Sequence, residues 1–279
     1  MLIASVDEIR STSFADHRGP GISFQRLLKG HEGSPDNFEL SVVHTGAEYR
    51  TPRHRHNFDQ ILYVLEGTHE YAPKSQMPTG TVTYTPEGTH YGPQVGHGAT
   101  TLLLQFGGPT GNGFMSYDQL SAGNKALAER GAFEKGIFRF VDESGRTRNQ
   151  DGYEAIWEHV NGAPVHYPPQ RYDHPITMWP EHFSWVASPD EPGVAHRRLA
   201  SFAGRGTAVA FLHLDADARH TVPAADATRL HFVVRGCVRT GEQEHPARTA
   251  LQLDPGESVG YVASSDSELL CLTLPAFPR

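Results

Sequence analysis

The chain has 279 residues, 38% of them hydrophobic and 10% aromatic, with a formal net charge of -8. That composition supports ordinary folded cores, and the length fits two domains at about 100–200 residues each. The negative balance argues against nucleic acid or an anionic membrane as partner, since both call for a basic surface.

Strand-like segments dominate the first half. Residues 21–30 and 38–46 carry β-branched and aromatic residues between glycines. An apolar run at 60–67 ends in Gly67, residues 80–88 alternate threonine with Val82 and Tyr84, and 99–108 closes on two glycines. Short strands with tight turns and no long helix between them predict an antiparallel barrel or sandwich. Residues 124–130 predict one short helix, with Asn124 as N-cap and Gly131 as stop, at the junction of two domains, 1–120 and 121–279. Strands are then expected at 136–143, 153–160, 182–188, 197–204, 207–215, 229–240, 250–256, 258–264 and 268–275, with a proline-rich loop over 161–182.

The densest chemical signal lies at 51–67. His54 and His56 are two residues apart, which puts both imidazoles on one face of a strand, and Gln60 is in phase with them. A third histidine, His90, ends a later strand that a barrel could bring alongside. Three neutral imidazoles suit Fe(II), Mn(II), Ni(II), Cu(II) or Zn(II). His97 reads as a loop residue and is the alternative third ligand in a different register. His44 reads equally as a core histidine or a site residue, and the direction of His69 stays open. Arg50, Arg53 and Arg55 are either anion contacts or solvated surface. Tyr63 is out of phase with Gln60, whereas Tyr84 is a candidate inward group, and Ile61, Val64 and Phe106 are candidate apolar walls.

This pattern resembles the cupin superfamily. Gly46, His54, His56, Gln60 and Gly67 follow its first motif, with two extra residues after Gly46 and with Gln60 where the family has glutamate. Gly80, Pro86, Gly88 and His90 follow the second, with the step from glycine to histidine one residue short and Gln94 near the terminal asparagine. The resemblance implies an all-β chain of two double-stranded β-helix (cupin, jelly-roll) barrels. It also implies a metal held by His54, His56, His90 and Gln60. A carboxamide is neutral and a weak ligand, so Gln60 is either a fourth ligand or a catalytic hydrogen-bonding group. Such a centre keeps more positive charge and favours an anionic small-molecule substrate.

The second half repeats the rhythm. Gly236 matches Gly67, Arg229 falls where Gln60 does, and Pro223 and Ala225 fall at the places of His54 and His56. Gly256 is matched to Gly80 and Asp266 to His90, which makes this a degenerate cupin without ligands, acting as scaffold, pocket wall or dimer surface. The spacing of His213, His220 and His231 gives no strong support for a separate site. The expected function is a metal-dependent oxidoreductase, a dioxygenase using Fe(II) on a small organic substrate. The alternatives are a metal-dependent isomerase, lyase or hydrolase, or a non-catalytic binding module, because the fold does not choose between them. Cys237 and Cys271 lie in apolar runs and read as buried free thiols, as suits a cytoplasmic protein. A homodimer is the expected assembly.

Overall fold

The computed structural model describes residues 1–13, 21–202 and 204–278; Ala203, in the strand expected at 197–204, lies outside them. Two compact units emerge. One comprises Ser11–Phe24 and Gly30–Thr177 and is called the N-unit below. The other, the C-unit, comprises Met1–Arg10, Gln25–Lys29 and Met178–Arg279. Strands predominate in both. Among the described residues every sheet is open, so the expected barrels take the form of unclosed sheets. No described helix is long and apolar enough to cross a membrane.

The N-unit is organised by four antiparallel strands in the order Val82–Thr85, Asp59–Glu66, Thr100–Phe106 and Phe38–Thr45. Asp59–Glu66 is central, and its register sets Gln60 between Thr85 and Gln105, and Ile61 between Tyr84 and Leu104. Because side chains alternate along a strand, these two rows face opposite sides of the sheet. A short pair, Arg50–Thr51 with Gln94–Val95, and a bridge from His54 to Tyr91 extend the structure beyond the sheet.

The N-unit also contains two helices. The first spans Tyr117–Ala128 and begins earlier than the sequence suggests, at Ser116 instead of Asn124. Ser116 Oγ accepts the Gln119 N–H at 3.2 Å, and the Gln119 side chain returns to the Ser116 N–H at 3.0 Å, a reciprocal capping box. The second helix, Gly152–Asn161, replaces the strand expected at 153–160. Asp151 caps it by accepting the N–H groups of Tyr153 and Glu154, and Gly162 ends it in a left-handed conformation. Tyr153, Ile156 and Trp157 form its buried face, packed with Leu120, Leu127 and Phe138.

In the C-unit a seven-stranded sheet runs in the order Leu2–Ser5, Thr249–Leu253, Arg229–Arg235, Ser267–Thr273, Ala208–Leu214, Val194–Ser201 and Val186–Ala187. A four-stranded sheet runs Arg219–Val222, Val259–Ala263, Cys237–Thr240 and Gln243–Pro246. One apolar core joins both, with Leu214, Val233, Leu251 and Leu269 from the first and Val238, Tyr261 and Ala263 from the second. Both cysteines are free, as expected, but partly exposed instead of fully buried.

Candidate functional site

The N-unit encloses a cavity of about 120 Å³. Gln60 and Leu62 enter it from the central strand, and Thr101, Leu103 and Gln105 from the neighbouring one. Phe58, Phe114, Met115 and Leu120 supply much of its apolar wall, and His54, His56, His69, Tyr91, Gln94 and Tyr153 supply further polar edges. The walls therefore differ from Ile61, Val64 and Phe106. Ile61 and Phe106 share the far face of the sheet, and Val64 packs with Leu62 and Met77. Tyr84 also lies on that far face, where its hydroxyl donates to Asp59.

His54 and His56 are brought together, although neither lies in a strand: His54 makes an isolated bridge, His56 follows it in irregular chain, and the strand carrying Gln60 begins at Asp59. Their ring centroids are 5.0 Å apart and nearly perpendicular. His54 Nδ1 lies 2.7 Å from the Pro52 carbonyl, so Nδ1 carries the proton and Nε2 the lone pair. His56 is buried and stacked on Phe58 at 4.3 Å. Its Nε2 lies 2.8 Å from the Tyr91 hydroxyl. Gln60 Oε1 accepts from Gln105 Nε2 at 3.4 Å.

His90 is not brought to them. The antiparallel bridge pairs His54 with Tyr91, each N–H donating to the other's carbonyl at 2.9 Å. Directly opposed residues share a face, which sets the Tyr91 ring 4.4 Å from His54. His90, one residue away, is turned to the other side, where its ring bonds the Gln170 side chain near Arg53 and Arg55. Burial and those two arginines hold its pKa below the usual value. Tyr91 thus stands where His90 is expected; the short step in the second motif is its sequence signal.

The other candidates also find their places. His69 lines the cavity and accepts from Gln94 Nε2 at 3.1 Å. Its burial pushes its pKa down to about 4, so the ring is neutral at pH 7. His97 is a loop residue paired with Glu70 at 2.8 Å, and His44 bonds Thr100. None of Arg50, Arg53 and Arg55 lines the cavity: Arg50 bonds the Ala47 and Tyr49 carbonyls, and Arg55 stacks over Tyr167 at 4.2 Å. Sequence reasoning did not assign Tyr91, Gln94, Gln105 or Tyr153 to the cavity.

The donor set here fits a divalent transition metal in part. Two imidazoles and a phenol lie together and a carboxamide lines the same cavity, without a carboxylate. In the C-unit the Gly256 N–H donates to the Ala225 carbonyl at 2.8 Å as the Gly88 N–H does to that of His56, which puts Ala225 at the place of His56; three residues beyond these glycines, Val259 pairs with Val222 as Tyr91 does with His54. This shifts the equivalent of His54 by one residue from Pro223 and aligns Gly256 with Gly88 instead of Gly80. Asp266 is not at the place of His90; it precedes the Ser267–Thr273 strand and accepts the Ala216 N–H at 3.0 Å. Arg229 fills the place of Gln60 and donates to the Pro223 and Glu257 carbonyls. The motif positions of the C-unit thus hold no ligand. Away from them, Glu191, His196 and His220 bring three ligand atoms within 4.8 Å of one another, a set with the capacity to hold a divalent transition metal. Among the described residues it is the one such grouping of histidine, cysteine or carboxylate ligands.

No family model matches the chain, and no curated protein does. Solved structures do. A candidate dioxygenase of Nostoc punctiforme superposes with a TM-score of 0.65 at 10% identity, covering 100% of this chain and 87% of that one. Oxalate decarboxylase of Bacillus subtilis, a protein with Mn(II) centres, superposes at 0.56 and 11%, covering 100% and 78%. A Geobacillus kaustophilus protein superposes at 0.53 and 11%, covering 100% and 96%. At these identities the likeness concerns the fold alone, which the chain shares with the dioxygenase and decarboxylase structures.

Proposed function

We propose that the protein is a metal-dependent oxidoreductase of the dioxygenase class, acting on a small organic molecule in the N-unit cavity. The observation that carries this is the convergence of His54, His56 and Tyr91 on a mostly apolar cavity edged by Gln60. His54 and His56 would be the imidazole ligands, with Tyr91 in the third place and Gln60 as a weak fourth ligand or substrate-facing group. A divalent transition metal, Fe(II) or Mn(II) foremost, would supply Lewis acidity and access to dioxygen chemistry.

The chain's own residues do the rest. The Pro52 carbonyl fixes the tautomer of His54 that presents Nε2 as donor, the arrangement expected of a metal-binding histidine. Tyr91 holds or releases a proton at its hydroxyl against His56 Nε2. Gln105 orients the Gln60 carboxamide, and Gln94 donates to a neutral His69, so the polar edge offers hydrogen bonds without a fixed charge. Phe58, Leu62, Leu103 and Phe114 keep bulk water out. One cupin unit in each half, the motif ligands in the first alone, and a cytoplasmic homodimer complete the reading; the free cysteines favour a reducing compartment.

The 2.8 Å contact of Tyr91 with His56 Nε2 favours a second reading, a metal-free small-molecule site in which that bond closes the ligand position. Metal analysis and oxygen uptake with small carboxylic acids separate the two. His56→Ala is expected to lose one equivalent of metal and all oxygen uptake, and Tyr91→Phe to weaken metal binding beyond the ~10–100-fold that loss of an outer partner costs. Unchanged metal content in His56→Ala would leave only the metal-free reading.

A further inference from the structure

The C-unit shows a different device. Glu191 sits in the hairpin loop between Val186–Ala187 and Val194–Ser201, where the Ser188 N–H reaches the Val194 carbonyl and the Val194 N–H the Glu191 carbonyl. His196 lies on the second of these strands, and His220 on Arg219–Val222 in the other sheet of the same unit. His220 Nδ1 lies 2.7 Å from Glu191 Oε2, and the two imidazole centroids are 5.3 Å apart at 67°. The carboxylate is held from behind, since Thr221 N–H donates to Oε1 at 3.2 Å and Ser188 Oγ to Oε2 at 3.3 Å. Such outer partners orient a metal ligand before the metal arrives.

We propose that Glu191, His196 and His220 form a second, independent divalent transition-metal site with open coordination positions that take a small anion. The donor chemistry selects the metal: two imidazoles and one carboxylate suit Zn(II), Fe(II), Mn(II) or Co(II) better than Mg(II) or Ca(II), which prefer oxygen alone. Three protein ligands leave at least one position open in a four-coordinate ion and three in a six-coordinate one. The surroundings identify what fills it. His196 lines a groove of about 590 Å³ shared with Ser184, Ser188 and Arg198. Arg198, two residues on, is on the same strand face as His196 and exposed, whereas Arg197 turns away to stack on Trp185 at 4.3 Å. The Arg198 guanidinium, in the groove that His196 lines, would add a second positive charge beside a metal held by that imidazole, which suits a carboxylate or a comparable small anion. The site stands apart from the motif positions of its unit, where Val222, Val259 and Arg229 hold no ligand.

The test uses Co(II) as the metal and azide as the anion, on the full chain with His54→Ala and His56→Ala to silence the N-unit. Co(II) is expected to bind at one equivalent and give visible ligand-field bands, which azide shifts. His196→Gln, which leaves the Glu191–His220 contact in place, should weaken Co(II) binding beyond the ~10–100-fold that loss of an outer partner costs. Arg198→Ala should keep the Co(II) bands and weaken the azide response about tenfold or more. Glu191→Gln provides a further variant in case His196→Gln does not fold. Wild-type Co(II) affinity in the folded variants would overturn the metal site and reduce Glu191–His220 to a contact holding the hairpin. Co(II) bands that azide leaves unmoved would overturn the open positions.

Discussion

Replacing Arg171 with methionine is expected to loosen the strand that carries Gln60, through the opposite face of the sheet. Asp59 precedes Gln60, and its side chain is fully buried. Its carboxylate accepts the Glu87 N–H at 2.8 Å, the Tyr84 hydroxyl, and Arg171 at 3.1 and 3.2 Å. Burial raises the Asp59 pKa above its ordinary value, and Arg171 is the largest opposing influence. Methionine keeps the aliphatic bulk and removes the charge, leaving a buried carboxylate with two neutral donors. Breaking a buried pair from one side costs about 3–5 kcal/mol. The two surviving donors and the 27% exposure of the Arg171 side chain place the expectation at about 3 kcal/mol. Asp59→Asn added to Arg171→Met removes the stranded charge while retaining an acceptor for Glu87, so the double variant should regain about 1–2 kcal/mol, within the coupling expected of contacting residues. Because the neutral acid is favoured in the fold, this group's contribution is greatest below its unfolded pKa and declines as pH rises through the folded one. The Arg171→Met deficit should therefore shrink as the pH is lowered. Hydrogen exchange of the Asp59–Glu66 amides, read by mass spectrometry, measures the local opening free energy. A loss under about 1 kcal/mol, or a double variant no more stable than Arg171→Met, would refute the argument.

Two further outcomes follow from the geometry. With the pKa of buried His69 near 4 against an ordinary 6.5, N-unit stability should be level above pH 6.5 and fall between 6.5 and 4, where the unfolded chain takes up the proton first. The fall is about 3 kcal/mol, and urea titrations of wild type and His69→Gln at pH 7 and 4.5 should show it only in the former. Gly67 and Gly236 have nearly the same backbone angle, φ 82° and 81°, so alanine at either carries a similar left-handed penalty of about 1–2 kcal/mol. A Cβ on Gly236 would also strike the Asp266 carbonyl, whereas one on Gly67 meets its nearest atom at 3.2 Å. Thermal denaturation should therefore show Gly236→Ala as the worse variant by about 1–3 kcal/mol, and equal losses would contradict the close approach of the Asp266 carbonyl to Gly236.

What could be read before folding was what lies close in sequence. His54, His56 and Gln60 line one cavity, although only Gln60 is in a strand, Asp59–Glu66, while His54 makes an isolated bridge and His56 lies in the connection between them. Local signals also mark the second helix: Asp151 with Glu154 three residues on is a capping signature, and Gly162 is a stop, yet the apolar and aromatic residues of 153–160 read as a strand in a short window. The third histidine depended on something else. Whether His90 or Tyr91 faces His54 is decided by the register of one bridge, and a shift of one residue exchanges the two side chains. The Glu191, His196 and His220 grouping required still more: a hairpin loop, its outgoing strand and a strand of another sheet, 24 residues beyond His196, whose mutual approach no periodicity encodes. One unit can thus lack ligands at its motif positions and still gather them elsewhere. Motif ligands are tied to one strand register, whereas this grouping draws on side chains from a hairpin of one sheet and a strand of the other, independently of it.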